Sequence, residues 1–523
     1  MKIAAKLAFA SAVFSVNATW SQAASETADS KPPNIVFLLA DDLRVGAMGF
    51  EGHPEVRTPN LDALAKRGMV FNNSFVTTPI CAVSRASTLT GQYARRHGVN
   101  DFQTPLPDLR QTYAALLRNA GYFTGFIGKW GVDAGSGTTL NEAARTFDFW
   151  AGDADQTIYW HERKCHFVTS DGIGGHVPCD CPPEVRKTEG VLAGGPHPLL
   201  KDPVHLETEV IPAKVRQFLD ARTPEKPFNL SISFKAPHGP FDGYAKEFAQ
   251  RFEGTLLPLG ATANPEEAAR QPDFLRHSLE APRGWEMAHD HGLKSNTQKM
   301  LREYHRLVEG LDKGIGEILA ELDRRGLAEN TVVIFTSDNG HLHGEHGFFG
   351  KWLLYEESLR VPLLIADPRL PAKDRGRTSD VLVLNIDLAP TMLALGGVPV
   401  PPTMQGLSLV PLLSDPSLAL RDSFFCEHLY EHDVTSPVFH IVPSEGLRTK
   451  DWKYIRYVKN PGPEGEQLFN LAADPLETKN LIADPGAADQ LNRLRKEYEL
   501  LRIELGPHRT WSLKPAKSSP ARD

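Results

Sequence analysis

The chain has 523 residues, 41% of them hydrophobic and 23% charged, the mix of a folded globular protein rather than a disordered one. That length exceeds what one hydrophobic core sustains and predicts two domains, one large and one small. A net charge of -8 argues against nucleic acid or an anionic membrane surface as partner, but not against an anionic substrate held by local basic residues.

Residues 1–23 read as a secretory signal. Lys2 and Lys6 form the positive end, Leu7 to Val16 the apolar run, and Ser21-Gln22-Ala23 a small-x-small cleavage site. Ser11, Ser15 and Asn17 interrupt the run, which falls short of the roughly 20 apolar residues of a membrane span. No later stretch is long and apolar enough to span a bilayer. The expectation is export, to the periplasm or beyond, where disulfides form. Of the five cysteines, Cys165 is expected to close a short loop with Cys179 or Cys181. Zinc is the alternative for this Cys-x-Cys pair, although zinc ligands are usually spaced by two to four residues.

In chain order, Asn34 to Ala40 is a continuous apolar run ending in Asp41-Asp42, the pattern of a parallel strand buried on both faces. Asn60 to Arg67 reads as a helix opened by Thr58-Pro59 and closed by Gly68. Cys81 to Tyr93 reads as the next helix, and Gln111 to Asn119 as a third, ended by Gly121. Tyr122 to Ile127 is a strand running into Gly128-Lys129-Trp130. Residues 149–203 lack a period and read as a long loop excursion. A helix over Leu206 to Ala221 precedes the strand Phe228 to Phe234, which delivers Lys235-Ala236-Pro237-His238. Residues 241–295 read as a second irregular insertion. Met300 to Arg325 is a long amphipathic helix, and Thr331 to Thr336 a strand delivering Ser337-Asp338-Asn339-Gly340.

This alternation predicts an α/β domain over 31–410, a mostly parallel sheet sandwiched by helices. Beyond the Pro-rich stretch Val398 to Thr403 the pattern shortens. Trp452 to Val458 alternates as a half-solvated strand, and Ala487 to Leu505 is a last helix. The prediction there is a smaller α+β domain with an antiparallel sheet over 420–515.

Open α/β sheets carry their chemistry beyond the carboxyl ends of the strands. Asp41-Asp42 at one strand end and Asp338-Asn339 at another offer three carboxylates and an amide oxygen. A shared hard cation, Ca2+ or Mg2+, accounts for them better than two separate turns do. Cys81 opens a helix whose free N–H groups favour an anion, and Arg85 lies one turn on, along the same face.

Cys81-Ala82-Val83-Ser84-Arg85 followed by Leu89-Thr90-Gly91 resembles the signature of the type I, formylglycine-dependent sulfatases of the alkaline-phosphatase-like superfamily. Matching motifs run from Asn34 to Pro362, including Gly350-Lys351-Trp352, and Leu468-Phe469-Asn470-Leu471 with Asp474-Pro475 is similar to the family's C-terminal domain. The resemblance implies a sulfuric ester hydrolase acting on a sulfated carbohydrate. It also implies a formylglycine made from Cys81 by a formylglycine-generating or anaerobic sulfatase-maturating enzyme. Asp41, Asp42, Asp338 and Asn339 would hold calcium together with the modified Cys81. Arg85 and Lys129 would hold the hydrated aldehyde, and His238 and Lys351 would flank the sulfate near the leaving oxygen. The same fold serves phosphonate and phosphate monoester hydrolysis, and a catalytically inactive glycan-binding relative is the third reading.

Two positions depart from the family pattern. Gly131 stands two residues after Lys129, where the family usually has histidine, and Val83 stands where the maturation enzymes favour Pro or Ala. His341, His343 and His346 are candidates to replace the missing histidine or to line the substrate site, or else ordinary loop residues. Substrate contacts are expected from Trp160, His161 and Arg163 in the first insertion and His289 and His291 in the second, with Glu427, His428, His432 and His440 as further candidates.

Overall fold

Every residue of Asn34–Asp41 (β1) is buried. Val36, Leu38 and Ala40 enter one hydrophobic core, while Ile35, Phe37 and Leu39 enter another. A strand with apolar side chains on both faces must be covered on both, and the rest of the domain is built around that requirement. The computed structural model describes residues 31–132, 142–153, 156–160, 204–430, 441–460 and 462–507. The expected signal segment over residues 1–23, together with His161, Arg163, Cys165, Cys179, Cys181, His432 and His440, lies outside the described residues.

The main sheet has eight strands. The others are β2 (Met69–Phe71), β3 (Phe123–Lys129), β4 (Phe149–Asp153), β5 (Phe228–Pro237), β6 (Thr331–Ser337), β7 (Leu363–Ala366) and β8 (Arg377–Ser379). Their order is β8-β2-β7-β6-β1-β5-β3-β4. The run β6-β1-β5-β3-β4 is parallel throughout, and β7 is antiparallel to both its neighbours. In a parallel run all carboxyl ends emerge on one edge, so Asp41, Lys129, Pro237 and Ser337 end their strands side by side.

Helices cover both faces. On one, α4 (Asn296–Arg324) packs a stripe of Leu301, Tyr304, Val308, Leu311, Ile315 and Ile318 against the sheet beside α2 (Ile211–Ala221). On the other lies α1 (Cys81–Thr90), buried along its whole length. α1 ends at Thr90, three residues short of the expected Tyr93, and is capped by Gly91. Its φ of 64° is left-handed, and its N–H closes on the Ser87 carbonyl at 2.8 Å. The helix expected over 206–221 begins instead as a wide π turn, Leu206–Val210. Pro212 has no N–H to give to the carbonyl four residues back. The second insertion is also more ordered than expected. It contains short helices at Pro265–Arg270, Asp273–Arg276 and Ala281–His289 (α3), two of them with a proline in the first turn, where proline is tolerated.

The C-terminal unit is a four-stranded antiparallel sheet, β9 (Ser423–His428), β10 (Ser444–Thr449), β11 (Trp452–Tyr457) and β12 (Glu466–Asn470), backed by α5 (Ala488–Leu505). A third core made of Phe424, Tyr454, Leu468 and Tyr498 with Phe75, Leu353 and Tyr355 joins it to the larger unit. Among the described residues no helix is long and apolar enough to cross a membrane.

Candidate active site

Where the parallel strands run out, three carboxylates meet three cations. Lys129 Nζ lies 2.5 Å from Asp41 Oδ2, and Lys351 Nζ donates to Asp42 Oδ1 at 2.7 Å. Arg85 reaches across from α1, its Nε donating to Asp338 Oδ2 at 2.8 Å and its Nη1 to the Lys129 carbonyl at 2.9 Å. Nη1 also donates to the Ser233 hydroxyl. All six charged groups are buried, where unpaired charges would cost several kcal/mol each. Their mutual pairing is what makes the cluster tolerable.

Backbone geometry aims these groups. Asp42 has a φ of 61°, a left-handed conformation that turns the second carboxylate back over the strand ends. Its N–H donates to Asp338 Oδ1 at 3.2 Å, which ties the two acidic strand ends together. Burial raises the Asp41 carboxyl, but Lys129, His238 and Arg85 overcome it and hold the group well below the usual range. Asp338 goes the other way, pushed up to about 6 by burial and by the Asp41 charge.

Two oxygens in this cluster point to a cation. Asn339 donates its amide N–H to Asp42 Oδ1 at 2.6 Å and to the Gly340 carbonyl at 2.8 Å, which turns its Oδ1 away from both. That Oδ1 and Asp41 Oδ1 are buried and accept no hydrogen bond among the described residues. One oxygen each of Asp41 and Asp42 and a ring nitrogen of His238 lie within 4.8 Å of one another. Carboxylate and amide oxygens so disposed fit a hard divalent cation.

Cys81, the first residue of α1, is buried and free of any disulfide. It lies one turn before Arg85 on α1, and the Trp352 N–H donates to the Pro79 carbonyl at 3.1 Å, which holds the neighbour of Lys351 beside the start of that helix. His238 donates from Nδ1 to the Gly239 carbonyl at 2.8 Å. Its Nε2 sits 3.6 Å from Asp42 Oδ2, with 23% of the side chain open to solvent. The structure therefore brings together Asp41, Asp42, Cys81, Arg85, Lys129, His238, Asp338, Asn339 and Lys351.

Several expected substrate contacts are elsewhere. His346 is a core residue, fully buried, its ring stacked on Tyr355 at 4.3 Å and its Nε2 3.7 Å from Glu357. His343 is wedged between Tyr304 and His341, with ring centroids at 4.5 and 5.0 Å, and is closed to solvent. Neither has a surface to offer a substrate, because hairpin packing consumes it. Trp160 is half-buried against His205 and under Lys246. His289 is exposed, its ring tilted against Trp285 at 4.2 Å, and His291 is exposed. Glu427 and His428 are buried in β9, the former paired with Arg95 at 2.8 Å.

The structure adds residues that sequence reasoning missed. The buried Glu207 carboxyl accepts the N–H groups of Lys235 and Ala236, while Tyr159 donates to the His238 carbonyl at 2.6 Å. Lys235 Nζ donates to the Gly239 carbonyl at 3.1 Å. Together they cage the loop that carries His238. Tyr304 donates to the Asp42 carbonyl at 3.0 Å. On a helix read only by its period, Tyr304 is indistinguishable from core.

This fold and this strand-end cluster define an enzyme of the alkaline-phosphatase-like superfamily. The sulfatase family pattern matches residues 33–398, and that of the N-sulphoglucosamine sulphohydrolase C-terminal region matches residues 344–504. The chain belongs to the sulfatase family. The N-acetylglucosamine-6-O-sulfatase of Bacteroides thetaiotaomicron is 28% identical over 533 residues, covering 90% of this chain and 86% of the relative. A solved protein in complex with its substrate, D-glucosamine-2-N,6-O-disulfate, superimposes with a TM-score of 0.72 at 25% identity, over 92% of this chain and all of that one. The phosphonate monoester hydrolase of Agrobacterium radiobacter shares the fold, with a TM-score of 0.68 at 23% identity over 90% of this chain and 96% of its own.

Proposed function

We propose that this sulfatase removes sulfate from a sulfated carbohydrate, using a formylglycine made from Cys81 and a calcium ion held by Asp41, Asp42, Asp338 and Asn339. The observation that carries this reading is the buried meeting of three carboxylates, three cations and two unbonded oxygens beside Cys81. The relatives named for sulfated glucosamine support the carbohydrate. Calcium suits a site built from carboxylates and an amide, since magnesium usually keeps several of its waters.

The formylglycine hydrate would supply the nucleophilic hydroxyl, and the cation would draw charge from the sulfuryl oxygens. The chain's own groups do the rest. Arg85 and Lys129 fix the position of residue 81 and add positive potential where the oxygens gather charge. Lys351 supplies positive charge on the Asp42 side of the sulfate. His238, fixed at Nδ1 by the Gly239 carbonyl, presents Nε2 towards the departing alcohol oxygen and delivers a proton there from its doubly protonated form, which burial disfavours, taking the ring down to about 4, and which the Asp41 and Asp42 charges favour. The reading includes export directed by residues 1–23, and conversion of Cys81 by a formylglycine-generating or anaerobic maturating enzyme.

The phosphonate reading has a specific observation behind it in the shared fold, so the test sets the two against each other. Converted protein is assayed on matched sulfate monoesters, phosphonate monoesters and phosphate monoesters. The proposal expects the highest kcat/KM on the sulfates. Preferred turnover of phosphonates, or glycan binding with no turnover by fully converted protein, would overturn it.

A further inference from the structure

Three aromatic rings rim the strand-end cluster, each anchored in sequence to a site residue. Phe241 follows His238 by three positions, His341 follows Asn339 by two, and Phe349 precedes Lys351 by two. They touch one another in space. The centroids of Phe241 and Phe349 are 6.4 Å apart at 89°, and His341 lies 4.8 Å from Phe349 and 6.5 Å from Phe241. Phe241 and Phe349 remain partly open to solvent.

Arg283 lies over this corner. It stands in the first turn of α3, whose start is pinned to the rim because the Glu280 carbonyl accepts the Phe349 N–H at 3.0 Å. Its guanidinium carbon is 3.9 Å from the Phe349 centroid and 5.9 Å from that of Phe241. Arg283 forms no hydrogen bond and no ion pair among the described residues, not even with Glu286 three residues on along α3. Stacking uses the face of a guanidinium and leaves its in-plane N–H donors free for the two oxygens of an oxyanion.

We infer that Arg283, with Phe241 and Phe349, forms a subsite for a second anionic group, sulfate or carboxylate, on the glycan whose sulfate ester occupies the strand-end cluster. The aromatic corner takes the apolar face of the sugar ring, and Arg283 takes the charge. The inference rests on the sulfatase reading and narrows its substrate class to glycans carrying at least two anionic groups.

The test compares the parent protein with Arg283→Ala and Arg283→Lys. The probes are D-glucosamine-2-N,6-O-disulfate, N-acetylglucosamine 6-sulfate, a 6-sulfated disaccharide bearing a uronate, and 4-nitrophenyl sulfate. Loss of a charge-assisted contact should raise KM for a dianionic probe roughly tenfold or more in Arg283→Ala, with Arg283→Lys between. Both kcat and 4-nitrophenyl sulfate turnover should be unchanged. A KM effect on the disulfate alone assigns the subsite to sulfate, and one on the uronate alone assigns it to carboxylate. Equal effects on all probes, or none on either dianion, would overturn the inference while leaving the sulfatase reading intact. If the parent protein hydrolyses no sulfate ester, that reading fails by itself, and calorimetric binding decides the subsite. A preference for dianions that Arg283→Ala abolishes supports it, and no preference overturns it.

Discussion

One oxygen of the buried Glu207 carboxyl accepts both the Lys235 and Ala236 N–H groups, at 3.0 and 2.8 Å, while the other has no partner among the described residues. Burial pushes this carboxyl up to about 7. A folded value above the ordinary one means that the native state holds the proton more tightly, so this group's contribution to stability falls as pH rises from about 4.5 to about 7. Glu207→Gln keeps the accepting oxygen and loses the charge. It should therefore be more stable than the parent above pH 7, by roughly 1–3 kcal/mol, with the gap closing towards pH 4.5. Glu207→Ala strands two buried donors and should lose about 1–3 kcal/mol at any pH, with a fall in kcat because both amides lead into the His238 loop. Thermal unfolding across pH reads both. His238 itself is tested through the leaving group. His238→Gln should cut kcat roughly 10²–10⁴-fold on a sugar sulfate, yet far less on 4-nitrophenyl sulfate, whose phenolate departs without a proton. Equal losses on the two substrates would remove the proton donor role.

At the scale of elements, the loop leaving β3 explains the departure at Gly131. This residue has a φ of 69°, and a side chain there would place its Cβ 3.0 Å from Arg85 Cδ and 3.1 Å from Lys129 Cε. Both cations occupy the room that a histidine would need. Gly131→His should therefore fail to add activity. It should lower kcat and cost about 1–3 kcal/mol of stability through backbone strain alone, read by turnover and thermal unfolding. The four central strands β1, β3, β5 and β6 and the longest helix were legible because their signals are patterned, β1 as an unbroken apolar run and α4 as a stripe at helical spacing, whereas the five-residue β4 at Phe149–Asp153 fell within the stretch read as a loop excursion. The strand-end acids were legible because Asp41-Asp42 and Asp338-Asn339 directly follow buried strands, where polar groups are costly without a purpose. Glu207, Tyr159 and Ser233 were not, since each reaches the site through a contact from a distant segment that no local pattern encodes. His343 and His346 misled for the same reason. Their spacing from Asn339 placed them near the site, but only the packing of Tyr304 and Tyr355 shows that their rings are consumed.

The whole molecule depends on the join between its two units. Arg95, just after α1, pairs with Glu427 of β9 at 2.8 Å and with Glu445 of β10, which also receives the Tyr498 hydroxyl of α5. Lys453 of β11 is buried between Glu356 and Glu477, at 2.8 and 2.7 Å. Breaking such buried pairs leaves a charge without a partner, so Arg95→Met should destabilise the protein by roughly 3–5 kcal/mol. The larger and smaller units should still unfold in a single calorimetric transition, because the Phe75–Tyr355–Tyr454 core spans both. Two separated transitions would show that the units fold independently. Chelation should lower the unfolding temperature and abolish turnover together, with calcium restoring both, as mass action requires of a cation that binds only the folded state.

The most direct test of the account is the mass of the tryptic peptide spanning residues 68–85, taken from protein made in its native host or with a maturation enzyme present. The account predicts a peptide lighter by the change from CH2SH to CHO at Cys81, with sulfate ester turnover rising in proportion to the converted fraction. Full turnover by protein whose Cys81 remains a thiol would contradict it.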